Sequence, residues 1–257
     1  MRLVIKVGTS TLAHSTGRIN IRHVETLCKV MSDLKNSGVE VILVSSGAIG
    51  MGVGKLNLSK RPDDMATKQA AAAVGQCELM YTYDKLFSEF NHTVAQLLMT
   101  GDDFDHADRY SNFINTMNKL LEFSALPIIN ENDTVSTDEI KVGDNDTLSA
   151  MVAVSVNADL LILLSDIDGL FTSDPHKNSD ATLISVVSEI TDEIRDLAGG
   201  EGSSLGTGGM RTKIRAAEIS TAKGCDMVIA NGDNPYVLYD IVAGKSVGTR
   251  FLKKVGE

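Results

Sequence analysis

The chain has 257 residues, of which 43% are hydrophobic and 23% are charged, and its formal net charge is −10 at pH 7. This composition is typical of a well-packed globular protein and excludes a disordered chain. The acidic balance also argues against nucleic acid as a partner, because binding a phosphate backbone requires a basic surface.

The three cysteines, Cys28, Cys77 and Cys225, are far apart and form no Cys-x-x-Cys pair. We therefore predict buried thiols rather than a disulfide framework or a zinc site. The most apolar region, residues 148–164, is interrupted by Asn157 and Asp159, so we expect no membrane span. The N-terminus does not resemble a signal peptide, and we predict a cytoplasmic protein.

Strand-like and helical patterns alternate along the chain. Aliphatic runs predict strands at residues 3–5, 39–44, 94–99, 126–129, 160–164 and 227–230. Apolar residues at helical spacing predict helices at residues 21–34, 65–90, 113–123, 148–156, 214–222 and 236–242. In the helix at 65–90 we expect residues 70–74, Cys77, Met80 and Tyr83 on the apolar side.

This β-α alternation predicts an α/β fold, a three-layer αβα sandwich around a central, mainly parallel sheet. Polar loops follow five of the predicted strands, at residues 6–10, 45–50, 130–133, 165–166 and 231–232. The carboxyl ends of parallel strands lie at one edge of a sheet, where ligands bind. We therefore expect these loops to form one site.

Lys6 ends an apolar strand, where a charge is costly unless it is paired. It is either a lysine that reaches solvent from an edge strand or a cation held at a phosphate, and the following Gly8 favours the phosphate. Ser46 and Gly47 form either a tight turn or a set of donors for an anionic substrate.

The run GTGGMRTK at residues 206–213 opens a predicted helix, with Lys213 at its fourth position. Glycines let backbone N–H groups approach an anion, and a helix N-terminus adds unpaired donors. The run fits neither the P-loop nor the Gly-x-Gly-x-x-Gly pattern, which would need glycine at Arg211. It is either a flexible loop or a phosphate site of another kind.

The run GDND at residues 143–146 precedes a helix that we expect near Leu148. Capping needs one Asn or Asp, and here there are three. We predict that Asp146 both caps the helix and pairs with Lys6 and Lys213 near one phosphoryl group. The histidines are scattered, so we expect no dedicated metal site, only Mg²⁺ that enters with a nucleotide.

Taken together, these residues resemble the amino acid kinase family from Lys6 to about Phe251. The segments AVGQ at 73–76, NEND at 130–133 and KVGDND at 141–146, with the run at 206–213, are most similar to the members that phosphorylate L-glutamate. They are less similar to those acting on acetylglutamate, UMP or aspartate. Many glutamate-specific members continue into a PUA domain, whereas this sequence ends at Glu257, so we expect no function of that domain.

The resemblance implies a phosphotransferase with a carboxyl group as acceptor. It would use MgATP to convert L-glutamate to L-glutamyl 5-phosphate by direct in-line transfer, the first step of proline synthesis. It implies one amino acid kinase domain over residues 1–257, with glutamate bound by about 1–155 and ATP by about 156–257. It also implies feedback inhibition by proline and a homo-oligomer, for which the helix at 65–90 is a candidate contact.

The resemblance assigns roles to individual residues. The catalytic residues would be Lys6, Asp146 and Lys213. The glutamate-binding residues would be Ser46, Gly47, Asp133 and Asn145. The ATP-binding residues would be Lys6, Gly8, Ser165, Asp166, Thr207, Gly208, Gly209, Met210, Arg211, Thr212 and Lys213.

Three other functions remain open on the sequence. A sister kinase acting on another carboxylate would share the fold and the ATP loop. A non-catalytic sensor would bind a nucleotide or amino acid, but it has no need for Lys6, Asp146 and Lys213 together. A nicotinamide-dependent oxidoreductase on a similar sheet is disfavoured, because no Gly-x-Gly-x-x-Gly follows the first strand.

Overall fold

The computed structural model describes residues 1–14, 18–136, 145–175, 177–199 and 209–254. Within these ranges the strands form one sheet in the order β3-β4-β2-β1-β5-β7-β8-β6. All neighbouring strands are parallel apart from β7 and β8. The strands are β1 (Arg2–Val7), β2 (Glu40–Ser45), β3 (Val94–Met99), β4 (Leu126–Glu131), β5 (Leu160–Ser165), β6 (Val186–Val187), β7 (Asp226–Asn231) and β8 (Thr249–Phe251).

Helices connect the strands and cover the sheet. None in the described ranges combines the length and the apolar character that crossing a bilayer requires. The helices are α1 (Thr9–Leu12), α2 (Ile21–Asn36), α3 (Ala48–Lys55), α4 (Met65–Ser88), α5 (Gly101–Asp105), α6 (Ala107–Glu122), α7 (Asn145–Ser155), α8 (Asp192–Leu197), α9 (Met210–Thr221) and α10 (Val237–Val242).

Two apolar clusters lie on opposite faces of the sheet. Along β1, Leu3, Ile5 and Val7 belong to the cluster that includes residues of α2, α4 and α10. Val4 belongs to the cluster that includes residues of α6, α7 and α9. This alternation follows from the period of two in a strand. The three-layer αβα sandwich with a mainly parallel sheet is therefore confirmed.

All six predicted strands and all six predicted helices are present, with some different boundaries. Helix α6 begins at Ala107 rather than 113, and α7 begins at Asn145 rather than 148. The prediction missed the short elements α1, α5, α8, β6 and β8. It also treated residues 48–50 as part of a loop, whereas they form the first turn of α3.

The predicted apolar side of α4 was partly wrong. Ala70, Ala73 and Cys77 are exposed, so the prediction of a buried thiol fails at Cys77. The buried side of α4 includes Gly75 and Leu79. A run of alanines carries no hydrophobic period, and the orientation of α4 is instead set by its close contact with α3.

Helices α3 and α4 contact each other backbone to backbone through two glycines. A Cβ on Gly52 would lie 1.8 Å from the carbonyl oxygen of Ala71, and one on Gly75 would lie 1.7 Å from that of Ala48. These distances are far below van der Waals contact, so no other residue type fits. The contact fixes the beginning of α3 beside the middle of α4.

We expect Gly52→Ala to lower the free energy of unfolding by about 1–3 kcal/mol, because overpacking forces the two backbones apart. Gly50→Ala in the same helix is the matched control. Its Cβ would lie 3.5 Å from Thr9 Cγ2, so the better helix propensity of alanine should leave stability equal or higher. Urea unfolding measures both. Equal stability of Gly52→Ala and the wild type would contradict the close contact.

Candidate active site

The carboxyl ends of the central strands line up along one edge of the sheet. Val7 of β1 is in register with Ser45 of β2 and Leu164 of β5, and Ser165 is in register with Asn231 of β7. The loops after β4, β2, β1, β5 and β7 therefore follow one another along this edge. Strand β1 lies in the middle, with strands from the first half of the chain on one side and from the second half on the other.

Lys6 lies on this central strand and not on an edge strand. In the sheet, Lys6 is in register with Val44 of β2 on one side and with Leu163 of β5 on the other. Lys6 lies two residues after Val4 and therefore on the same face, towards α7 and α9. Its side chain is buried, with 8% of the residue exposed, and Nζ lies 2.6 Å from Asp146 Oδ1. The alternative of a solvent-reaching lysine on an edge strand is therefore wrong.

Asp146 is completely buried and joins three elements of the fold. Lys213 Nζ lies 3.0 Å from its Oδ2, and Thr212 Oγ1 donates to the same oxygen at 2.9 Å. Lys213 is the fourth residue of α9, as predicted. Asp146 is the second residue of α7 and not its N-cap, because the helix begins at Asn145, so the predicted capping role is wrong while the predicted pairing with both lysines is present. An acidic residue in the first turn also interacts favourably with the helix dipole.

The two ammonium groups keep the Asp146 carboxylate charged. Burial by itself raises the pKa of Asp146, but attraction to Lys6 and Lys213 and hydrogen bonds from both outweigh it, so the pKa lies below its ordinary value. The two ammonium groups and the carboxylate together carry one net positive charge in a buried position. Such a cluster attracts an anion and holds both cations in defined positions.

Glycines bring backbone N–H groups to the same edge. A Cβ on Gly8 would lie 3.8 Å from Lys6 Nζ, so this backbone lies beside the ammonium group. Gly47 has φ of 99° and precedes the first residue of α3, a conformation that favours glycine. Gly209 precedes α9, whose first turn contains Met210 and Arg211 and carries unpaired N–H donors.

Asn145 connects residues on the predicted glutamate side of the site through hydrogen bonds. Its Nδ2 lies 2.7 Å from the carbonyl oxygen of Ser45, 2.8 Å from Ser46 Oγ and 2.9 Å from Asn130 Oδ1. Asn130 Nδ2 in turn donates to Gln76 Oε1 at 2.8 Å. Since Asn145 and Asp146 are consecutive in α7, this amide network lies next to the lysine cluster.

Asn130 and Gln76 are site residues that the sequence did not predict. Both lie in segments that carry the family resemblance, and this resemblance is the sequence signal from which they could have been identified. Asn130 ends a buried aliphatic run. Gln76 follows Gly75 on α4, a helix whose apolar residues show little periodicity. Neither pattern indicates where the side chain points, so only the fold reveals the contact between them.

The remaining predicted residues lie nearby or outside the described ranges. Asp133 follows β4 at the same edge and is half-buried. Ser165 Oγ donates to Asp166 Oδ1 at 3.1 Å, and this pair lies at the end of β5 on the other side of β1. Thr207 and Gly208 lie outside the described residues.

Comparison with known proteins identifies the family. The model of the amino acid kinase family matches residues 1–231. A protein named Glutamate 5-kinase from Clostridium perfringens (strain 13 / Type A) is 53% identical over 260 residues, covering 100% of this chain and 97% of that protein. Its namesake from Clostridium tetani (strain Massachusetts / E88) is 56% identical over 249 residues, covering 97% and 93%. The chain belongs to the amino acid kinase family.

Solved structures of low sequence identity share the fold. Carbamate kinase from Giardia lamblia bound to AMP-PNP superposes with a TM-score of 0.69 at 19% identity, covering 98% of each chain. Isopentenyl phosphate kinase from T. acidophilum superposes with a TM-score of 0.67 at 15% identity, covering 98% of this chain and 100% of that one. At such identities the likeness shows the fold alone.

We expect Asp146→Asn to lower the free energy of unfolding at neutral pH by about 3–5 kcal/mol, because two buried ammonium groups lose their counter-ion. The folded-state pKa of Asp146 lies below its ordinary value of 3.8. The advantage of the wild type is therefore fully present above about pH 4 and is lost as the pH falls through the folded-state pKa. Urea unfolding of both proteins from pH 3 to 7 measures the difference, and a difference independent of pH would contradict the ion pairs.

Proposed function

We propose that the protein catalyses the ATP-dependent phosphorylation of the γ-carboxylate of L-glutamate, giving L-glutamyl 5-phosphate. The observation that carries the proposal is the buried cluster of Lys6, Asp146 and Lys213 at the carboxyl end of the central strand. It supplies net positive charge between two rows of polar loops, as a reaction between two anions requires. The proposal is further supported by the relatives named Glutamate 5-kinase, which match nearly the whole chain.

Transfer from ATP to a carboxylate requires little acid–base chemistry from the protein. The nucleophile has an ordinary pKa of about 4.3 and is already ionised at neutral pH. The barrier instead comes from bringing two anions together in line and from the charge on the phosphoryl oxygens. In the proposed mechanism Lys6 and Lys213 stabilise that charge, and Asp146 holds the two ammonium groups in position.

The two substrates are proposed to approach from opposite sides of β1. Glutamate would contact Ser46, Gly47, Asp133 and Asn145, all from the first part of the chain. MgATP would contact residues of the second part and the backbone at Gly8. The residues of the second part are Ser165, Asp166, Thr207, Gly208, Gly209, Met210, Arg211, Thr212 and Lys213.

The product would be an acyl phosphate, a reactive mixed anhydride. We propose that it enters proline synthesis as the first intermediate, that proline inhibits the enzyme, and that the chain forms a homo-oligomer. The resemblance to the glutamate-phosphorylating members supports all three. Assays with added proline and light scattering of the purified protein test the last two.

An assay of ADP release tests the substrate. We expect MgATP turnover with L-glutamate to exceed that with N-acetyl-L-glutamate or L-aspartate by at least about 100-fold, because a buried site matched to one set of polar groups leaves them unpaired with another. Hydroxylamine trapping of the acyl phosphate identifies the product. A preference for N-acetyl-L-glutamate would assign the chain to a sister kinase, and absence of ADP release with all three would favour a sensor.

We expect Lys6→Ala and Lys213→Ala each to lower kcat by about 10²–10³, because each removes a group that stabilises the transferring phosphoryl group. Lys55→Ala is the control, since Lys55 is exposed and pairs with Glu78 on the surface. Steady-state kinetics with circular dichroism of each variant separate catalysis from folding. Near-normal turnover in a folded Lys6 or Lys213 variant would remove that lysine from the mechanism.

A further inference from the structure

Gln76 carries a buried hydrogen-bond donor without a partner in the described part of the chain. The residue is 9% exposed, and its Nε2 contacts no acceptor there. A buried donor that forms no hydrogen bond costs free energy. Such a group is therefore a candidate for binding a ligand when the rest of its environment points to one.

The free end of Gln76 is the NH₂ group because the network fixes the orientation of each amide. The backbone N–H of Glu131 can only donate, and it donates to Asn130 Oδ1 at 2.9 Å. Asn130 must then present Nδ2 to Gln76, which accepts through Oε1. The same logic holds at Asn145, whose Nδ2 faces the carbonyl oxygen of Ser45.

The network also fixes which side of the site Gln76 belongs to. It is joined through Asn130 to Asn145, and thus to Ser46. The preceding Gly75 contacts the backbone of α3 at Ala48, directly after the Ser46–Gly47 turn. Gln76 therefore lies on the proposed glutamate side, and two amide side chains separate it from Asp146 and the lysines.

We propose that Gln76 is a further substrate-binding residue, whose Nε2 donates a hydrogen bond to the α-carboxylate of the substrate. The inference rests on the proposed function. A carboxylate only accepts hydrogen bonds, so it matches a buried donor. The γ-carboxylate of the substrate must reach the lysine cluster. Gln76 lies farther from that cluster, so it is placed to contact the opposite end of the substrate, which carries the α-carboxylate. Such a contact is present in both ground state and transition state, so it affects KM rather than kcat.

Gln76→Glu tests the donor while preserving the network. The variant keeps an acceptor for Asn130 and replaces the NH₂ group by an oxygen that repels a carboxylate. We expect KM for L-glutamate to rise about 10- to 100-fold, with KM for ATP within threefold and kcat within fivefold of the wild type. A buried carboxyl group titrates above its ordinary pKa, so the ratio of variant to wild-type KM should narrow from pH 8 to pH 6 as the new group becomes a donor.

Gln69→Glu is the matched control. Gln69 lies two turns earlier on the same face of α4, but its Nε2 already donates to the carbonyl oxygen of Ser136 at 3.3 Å. We expect its KM for L-glutamate to stay within threefold of the wild type. An equal rise in both variants would show an effect of charge on α4 and would overturn the proposal. An unchanged KM in folded Gln76→Glu would overturn it as well.

A measurement on the wild type keeps the proposal testable if the variant does not fold. The chain contains three glutamines, Gln69, Gln76 and Gln96, so labelling with ¹⁵N-glutamine gives three pairs of side-chain amide proton signals. On adding L-glutamate, we expect the Gln76 amide protons to shift downfield and exchange more slowly, and an unchanged signal at saturation would overturn the proposal. If the wild type releases no ADP with L-glutamate, the proposed function fails separately. In that case the labelled protein is titrated with whichever tested carboxylate does support ADP release. A shift of the Gln76 amide proton signals then supports a role in binding that substrate, and unchanged signals at saturation exclude it.

Discussion

One buried carboxylate holding two ammonium groups is the interaction on which the site depends. Two lysines buried side by side would repel each other and lose their hydration, which is costly in a low-dielectric interior. Asp146 compensates one charge and forms an ion pair with each ammonium group. The three side chains come from β1, α7 and α9, so the ion pairs also fix two helices against the central strand. The three side chains together carry a net positive charge, which favours an anion at this site.

A second constraint orients the amide network beside that cluster. The glycine contact between α3 and α4 brings two backbones closer than any side chain allows. It fixes the Ser46–Gly47 turn against the middle of α4, where Gln76 lies. Asn145 then links this group to Asp146, its neighbour in α7. The lysine cluster and the amide network are thus parts of one continuous set of contacts.

The sequence predicts the frame of this molecule better than its details. Long aliphatic runs such as residues 160–164 indicate buried strands because few other structures bury five consecutive apolar side chains. Helix α3 was missed because its three glycines have poor intrinsic helix propensity, and tertiary contact with α4 overrides it. Strands β6 and β8 are too short to show the alternation of apolar and polar residues by which a strand is predicted. Cys77 was misassigned because alanines around it hide which face of α4 is buried.

The site was predictable where a residue's chemistry conflicts with its local pattern. Lys6 is a charged residue in an apolar strand. Asp144, Asn145 and Asp146 are three consecutive polar residues, whereas capping the helix that follows requires only one. Asn130 and Gln76 create no such conflict, because amides are tolerated at strand ends and on helices. Their importance arises only when the fold brings them together and leaves Gln76 Nε2 without an acceptor in the part of the chain that the structure describes. For an acidic chain of net charge −10, anion binding must therefore depend on local groups fixed by the fold, since the overall charge opposes it.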